Sequence, residues 1–155
     1  MKNILHIILI SLFSLTVISC AKEDEKKEGP VLTFVVDTTT GRTAPAIAAG
    51  EYHTCALLDN ASVKCWGYGY YGGLGIDNNY YMGDSSGEMA LLPAVKLGTG
   101  RTATAITSGS YHNCALLDNA SVKCWGNNSS GQLGIDNNAD MGDNPGEMAQ
   151  LTSID

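Results

Sequence analysis

Four cysteines fall into two pairs of equal spacing, Cys55 with Cys65 and Cys114 with Cys124, and a fifth, Cys20, stands alone. Thiols at such spacing offer two chemistries. A four-cysteine metal site is one, but a gap of ten lacks the close C-x₂₋₄-C pairs that zinc sites use. A disulfide is the other. Across a tight hairpin this spacing sets two thiols nearly opposite each other, and an oxidising compartment would join them. His53 and His112 could act as bases or ligands, yet no nucleophile accompanies either at a matching interval. No triad is assembled and no catalytic residue is assigned. Asp77-Asn78-Asn79 with Asp84, and Asp136-Asn137-Asn138 with Asp143, offer oxygen ligands to a hard cation. They lack the order of a calcium loop and its bidentate glutamate, so turn polarity is the preferred reading. Neither a metal nor a cofactor is expected.

The elements that carry these residues come as a repeat. Every landmark recurs 59 positions later without a gap: His53 and His112, Cys55 and Cys114, Trp66 and Trp125, Glu88 and Glu147. Between 46–90 and 105–149, 32 of 45 positions are identical, which points to recent duplication, so shared residues are no guide to function. The units run over 37–95 and 96–155. In each, Cys-Ala-Leu-Leu and Val-Lys-Cys-Trp-Gly flank Asp-Asn-Ala-Ser, whose side chains favour turns. Closing each eleven-residue loop contributes about 3 kcal/mol in the chain-entropy account. Short strands, frequent glycine and a period near sixty predict an all-β fold of propeller blades.

The copies differ most where tyrosine is concerned. Tyr68, Tyr70, Tyr71, Tyr80 and Tyr81 of the first unit face Asn127, Ser129, Ser130, Ala139 and Asp140 in the second. These are loop positions that the blade itself does not need. Clustered exposed tyrosine gives contact area at little entropic cost, so these five are the candidate binding residues for a protein or glycan.

The first nineteen residues carry one charge, Lys2, and an apolar run too short to span a membrane, as an export signal does. The run ends Val17-Ile18-Ser19-Cys20, which resembles the lipobox of lipoprotein signal peptides. The resemblance implies a signal over 1–19, a lipid on Cys20 that explains the odd cysteine, and export to a membrane-anchored place: outer membrane, periplasmic face or cell surface. A charged segment follows, and 20–36 reads as a flexible tether. With Lys2 removed, eight basic residues stand against sixteen acidic ones. That balance excludes nucleic acid as a partner, since phosphates call for clustered Lys and Arg.

Gly50-x-Tyr-His53-x-Cys-Ala-Leu-Leu-Asp, Val63-Lys-Cys-Trp-Gly67 and Gly72-x-Leu-Gly75 together resemble the regulator-of-chromosome-condensation repeat. The second copy shows Gly109, His112, Trp125-Gly126 and Gly131-Gln-Leu-Gly134. The resemblance covers residue 40 onward and implies a seven-bladed propeller of four-stranded blades, of which two repeats make an incomplete ring. It implies that each histidine packs beside the tryptophan of its own blade. Ala61 and Ala120 depart from the glycine usual in the family's turn, and Asn60 is expected to take the left-handed conformation instead. Two blades leave apolar faces uncovered. The chain is therefore expected to be the front end of a longer one, with assembly of several chains as the alternative.

The function expected is a non-enzymatic binding module, a tethered lipoprotein presenting loops to a protein or glycan. A self-assembling structural unit is the alternative. Nucleotide exchange on a small GTPase, implied by the resemblance, is disfavoured by export.

Overall fold

The structure is a computed structural model and describes residues 34–37 and 41–154. The signal segment 1–19, Cys20 and the tether as far as residue 33 lie outside the described residues. Phe34, Val35 and Val36, read above as the end of the tether, belong instead to β1 (Phe34–Asp37), which pairs with β2 (Arg42–Ala44) as an antiparallel hairpin. Their apolar, largely β-branched character favours a strand over a flexible link.

Two three-stranded antiparallel sheets follow. The first orders β3 (Ala46–Ala49), β4 (His53–Leu57) and β5 (Val63–Gly67), and the second β6 (Ala103–Ser108), β7 (His112–Leu117) and β8 (Val122–Gly126). Each sheet is followed by one helical turn, α1 (Glu88–Leu91) and α2 (Glu147–Gln150). The fourth strand that the family resemblance implied is reduced to a single contact. Val122 bridges Ile154, and the Val95 amide donates to the Val63 carbonyl at 2.8 Å.

The hairpin turn differs from expectation in one residue. Leu58 and Ser62 close a three-residue loop, with the Leu58 amide donating to the Ser62 carbonyl and the Ala61 amide returning to the Leu58 carbonyl, both at 2.8 Å. Such loops put their third residue in the left-handed region, where the chain bulges back into register. That residue is Ala61, at φ 61°, and Ala120 in the second copy, at φ 69°; Asn60 does not take it. Asn60 Oδ1 instead accepts from the Ser62 hydroxyl at 2.7 Å, a bond that holds the turn. The loop centres the register so that Cys55 faces Cys65 and Cys114 faces Cys124. Both pairs are disulfide-bonded, with Cα atoms 4.1 and 4.0 Å apart.

The sheets stack face to face, and strand alternation sorts their side chains accordingly. His53, Cys55 and Leu57 of β4 and Val63 and Cys65 of β5 face the second blade and are buried. Asn113, Ala115 and Leu117 of β7 and Trp125 of β8 are buried facing the first. Leu74, Leu97 and Met148 complete this core. Each fully buried aliphatic here contributes about 2 kcal/mol. A second, small cluster of Ala44, Ala56 and Leu58 packs with Trp66 on the opposite side of the first blade.

Candidate functional site

The loops after β3 and β5 rise at one end of the first blade and bring six of the seven tyrosines together. Tyr68 sits at the centre. Its ring centroid lies 5.1 Å from Tyr81 in a stacked pair, 6.0 Å from Tyr71, 6.2 Å from Tyr70, 5.9 Å from Tyr111 and 6.1 Å from Tyr52. Tyr71 meets Tyr70 and Tyr111 edge to face, at 5.1 and 5.3 Å. Edge-to-face and offset pairs of this kind add about 1 kcal/mol each beyond their burial. Of the five candidate residues, Tyr68, Tyr70, Tyr71 and Tyr81 thus lie in one cluster. Tyr80 makes no ring contact and is 70% exposed.

Two members of the cluster, Tyr52 and Tyr111, were not singled out by the sequence. Both follow a glycine in Gly-x-Tyr-His, and their presence in both copies hid them among the repeat's common residues. The glycine carries the positioning. A Cβ on Gly50 would lie 2.2 Å from the His53 ring, so the chain can turn tightly over the histidine only without a side chain there. The turn leaves Tyr52 pointing outward, 59% exposed.

Tyr52, Tyr68, Tyr81 and Tyr111 join Trp66, Met82 and Asp84 around an open cleft of about 440 Å³. The phenol of Tyr68 is pushed above its ordinary value, first by burial and then by Tyr81 and its other neighbours. That of Tyr111 is raised by burial and by the carboxylate of Glu51. The hydroxyls therefore stay protonated at neutral pH and can donate as well as accept. No nucleophile, base and oxyanion donor converge on the cleft, so its chemistry is non-covalent contact.

His53 has a different place from the one the resemblance implied. It is buried, and its Nε2 lies 3.0 Å from Oδ1 of Asn113 in the other blade. The Asn113 amide nitrogen donates to the Gly73 carbonyl at 2.7 Å, which leaves Oδ1 as acceptor; His53 Nε2 therefore carries the proton and donates. The same Gly73 carbonyl accepts from Trp125 Nε1 at 3.0 Å. The histidine of one blade thus meets the tryptophan of the next through a shared carbonyl. Burial lowers the His53 pKa, outweighing the Asn113 bond that raises it.

The acidic residues weighed for a cation are spent on the blade contact and on a turn. Asp77 accepts from the Met148 amide at 2.8 Å and from Lys96 Nζ at 2.6 Å. Burial raises its pKa, but these two donors prevail and hold it below the usual carboxylate range. Glu147 accepts from the amides of Gly142, Asp143 and Asn144 at 2.9, 3.1 and 3.0 Å. Beside it Asp143 is pushed up to about 6, by burial and then by Glu147, so the proton of this pair resides on Asp143.

Stacked three-stranded sheets of one repeated unit, with a cleft among loops at one end, define a repeat protein of the propeller-blade class. The particular repeat follows from the comparison of sequences. Residues 46–72 and 103–132 match the family model of the Regulator of chromosome condensation (RCC1) repeat, and the chain carries two RCC1 repeats. It is 30% identical over 89 residues to the human protein named Probable E3 ubiquitin-protein ligase HERC6, a match that covers 57% of this chain and 8% of that one. It is 32% identical over 95 residues to Protein pim1 of Schizosaccharomyces pombe, covering 61% and 17%. Among solved structures, human WBSCR16 aligns with a TM-score of 0.50 at 18% identity, over 74% of this chain and 26% of that one. Yeast RCC1 (Prp20), crystallised with Kap60, aligns with a TM-score of 0.42 at 23% identity, over 56% and 20%. The chain spans less than a third of each protein it resembles.

Proposed function

We propose that this chain is a non-enzymatic binding module whose tyrosine cleft grips another protein, held at a membrane by a lipid on Cys20. The observation that carries the reading is the convergence of six tyrosines from two blades around one cleft. Tyr52, Tyr70 and Tyr81 are each about half exposed or more, on loops braced by disulfide-bonded hairpins. Rings held in place lose little freedom on binding, and each has both an apolar face and a hydroxyl. The blades are built without these tyrosines, since the second copy folds alike with Asn127, Ser129, Ser130 and Asp140 in their stead.

The test is a double substitution, Tyr70→Ser with Tyr71→Ser, on the full chain. Both side chains lie at the rim of the cluster, so the fold is expected to keep its melting temperature. Capture of partner proteins from the native envelope, scored by quantitative mass spectrometry, is expected to fall at least tenfold. Unchanged capture would remove the tyrosine surface from consideration, and capture of glycans alone would change the class of partner. The anchor is tested separately: labelled fatty acid is expected to enter the wild-type chain and not Cys20→Ser.

A further inference from the structure

The contact between the two blades shows what a cleft of this shape receives. At the second blade, the place matching the tyrosine cleft, 59 residues on, is already filled. The turn Gly72-Gly73-Leu74-Gly75 of the first blade occupies it and is buried throughout. A Cβ on Gly72 would lie 2.5 Å from the Asp143 amide, and one on Gly75 would lie 2.8 Å from Trp125 Nε1. The wall that receives the turn, Trp125, Gly142 and Asp143, corresponds to Trp66, Gly83 and Asp84 in the open cleft.

The chain also carries the matching insert, unused. Gly131-Gln132-Leu133-Gly134 repeats the inserted turn on the far side of the second blade. There Gly134 is exposed, and a Cβ on Gly131 would have only Asn138 nearby, at 3.9 Å. The surroundings agree. Leu57 and Val95, each 6% exposed, flank the inserted turn on the first blade, while their equivalents Leu116 and Ile154 are 40% and 42% exposed. Asp77 receives the Met148 amide, while its equivalent Asp136 is exposed, and Met89, the equivalent of the fully buried Met148, is 38% exposed. Gln132 stands where Gly73 does, and a side chain there is tolerated: a Cβ on Gly73 would lie 3.4 Å from the Tyr111 carbonyl.

We infer that the tyrosine cleft of one copy receives the Gly131–Gly134 turn of a second copy, head to tail, with Asp136 accepting from the Met89 amide of its neighbour. The inference rests on the reading of the cleft as a protein-binding site and names the partner. The contact is heterologous, so it repeats from copy to copy until it closes into a ring or continues as a filament.

The experiment is native mass spectrometry of the full chain released from mild detergent, across a wide range of concentration. Oligomers that grow with concentration are expected. Leu116→Asp with Ile154→Asp is expected to raise the apparent Kd at least tenfold, about 1.4 kcal/mol. Leu91→Asp, at a position 81% exposed on α1, is expected to leave it unchanged. Hydrogen exchange on the unsubstituted chain serves where a variant misfolds, since the Met89 amide is expected to gain protection only as oligomers form. A chain that stays monomeric, or oligomers indifferent to Leu116 and Ile154, would overturn the inference. If Tyr70→Ser with Tyr71→Ser still abolished capture of a foreign protein, the binding module would survive with a different partner.

Discussion

At the scale of single residues, the alanines in the hairpin turns hold the clearest unspent stability. Ala61 and Ala120 sit at φ 61° and 69°, where a Cβ crowds the following carbonyl at a cost of about 1–2 kcal/mol. Glycine avoids that cost but gives back up to about 1 kcal/mol through the freedom of the unfolded chain. Ala61→Gly is therefore expected to stabilise by about 0.5–1 kcal/mol, read as a higher urea midpoint at unchanged slope. Asp143 offers a pH signature. Its folded pKa, near 6, lies above the unfolded value, so its favourable contribution is complete below about pH 4 and lost as pH rises through 6. Asp143→Asn is expected to flatten that decline and to be the more stable form at pH 7. Chemical denaturation at pH 4.5 and 7 checks the sign. His53 acts oppositely: its lowered pKa makes its contribution complete above about 6.5 and lost as pH falls below it. The cysteine pairs were legible at this scale because spacing alone carries them. The left-handed residue was not, since Asn tolerates that region better than Ala, and only the three-residue loop decides which of the two must enter it.

At the scale of elements, the two copies close the same loop by different means. In the second blade Asn128 is fully buried: its Nδ2 donates to the Asn137 carbonyl at 2.7 Å and its Oδ1 accepts from the Leu133 amide at 2.9 Å. In the first blade Gly69 stands there, and a Cβ on it would lie 1.9 Å from the Tyr80 carbonyl. Backbone thus takes the space that Asn128 uses, and the tyrosines are carried on the altered loop. Asn128→Ala leaves the Asn137 carbonyl and the Leu133 amide without their partner and is expected to cost about 1–3 kcal/mol by thermal unfolding. The hairpins were legible as elements from turn chemistry and paired apolar runs. The tyrosine cluster was legible only in part. The sequence marks which residues differ between copies, whereas Tyr52 and Tyr111 join through tertiary approach that no local pattern encodes.

At the scale of the whole described molecule, the blades are joined by polar contacts as specific as their apolar ones. His53, Asn113, Gly73 and Trp125 form one buried network, and removing a member strands the rest. His53→Ala and Asn113→Ala are each expected to destabilise by about 1–3 kcal/mol, and the double variant by less than their sum, as a double-mutant cycle reads directly. The repeat was legible, and with it the stacking of blades, but the network was not: Asn113 replaces Thr54, one of the few core positions at which the copies differ.

The hairpin disulfides carry one more consequence, for survival among proteases. The exposed tips at Asn60 and Asn119 are where an unfriendly enzyme would cut first, and each tip lies inside a ring closed by its own cystine. A nick there severs the peptide but frees no fragment, because Cys55 stays bonded to Cys65, and Cys114 to Cys124. Such damage leaves the chain whole on a non-reducing gel and shows as shorter pieces only after reductant. The repeat can thus absorb a first proteolytic wound at each turn without shedding a strand.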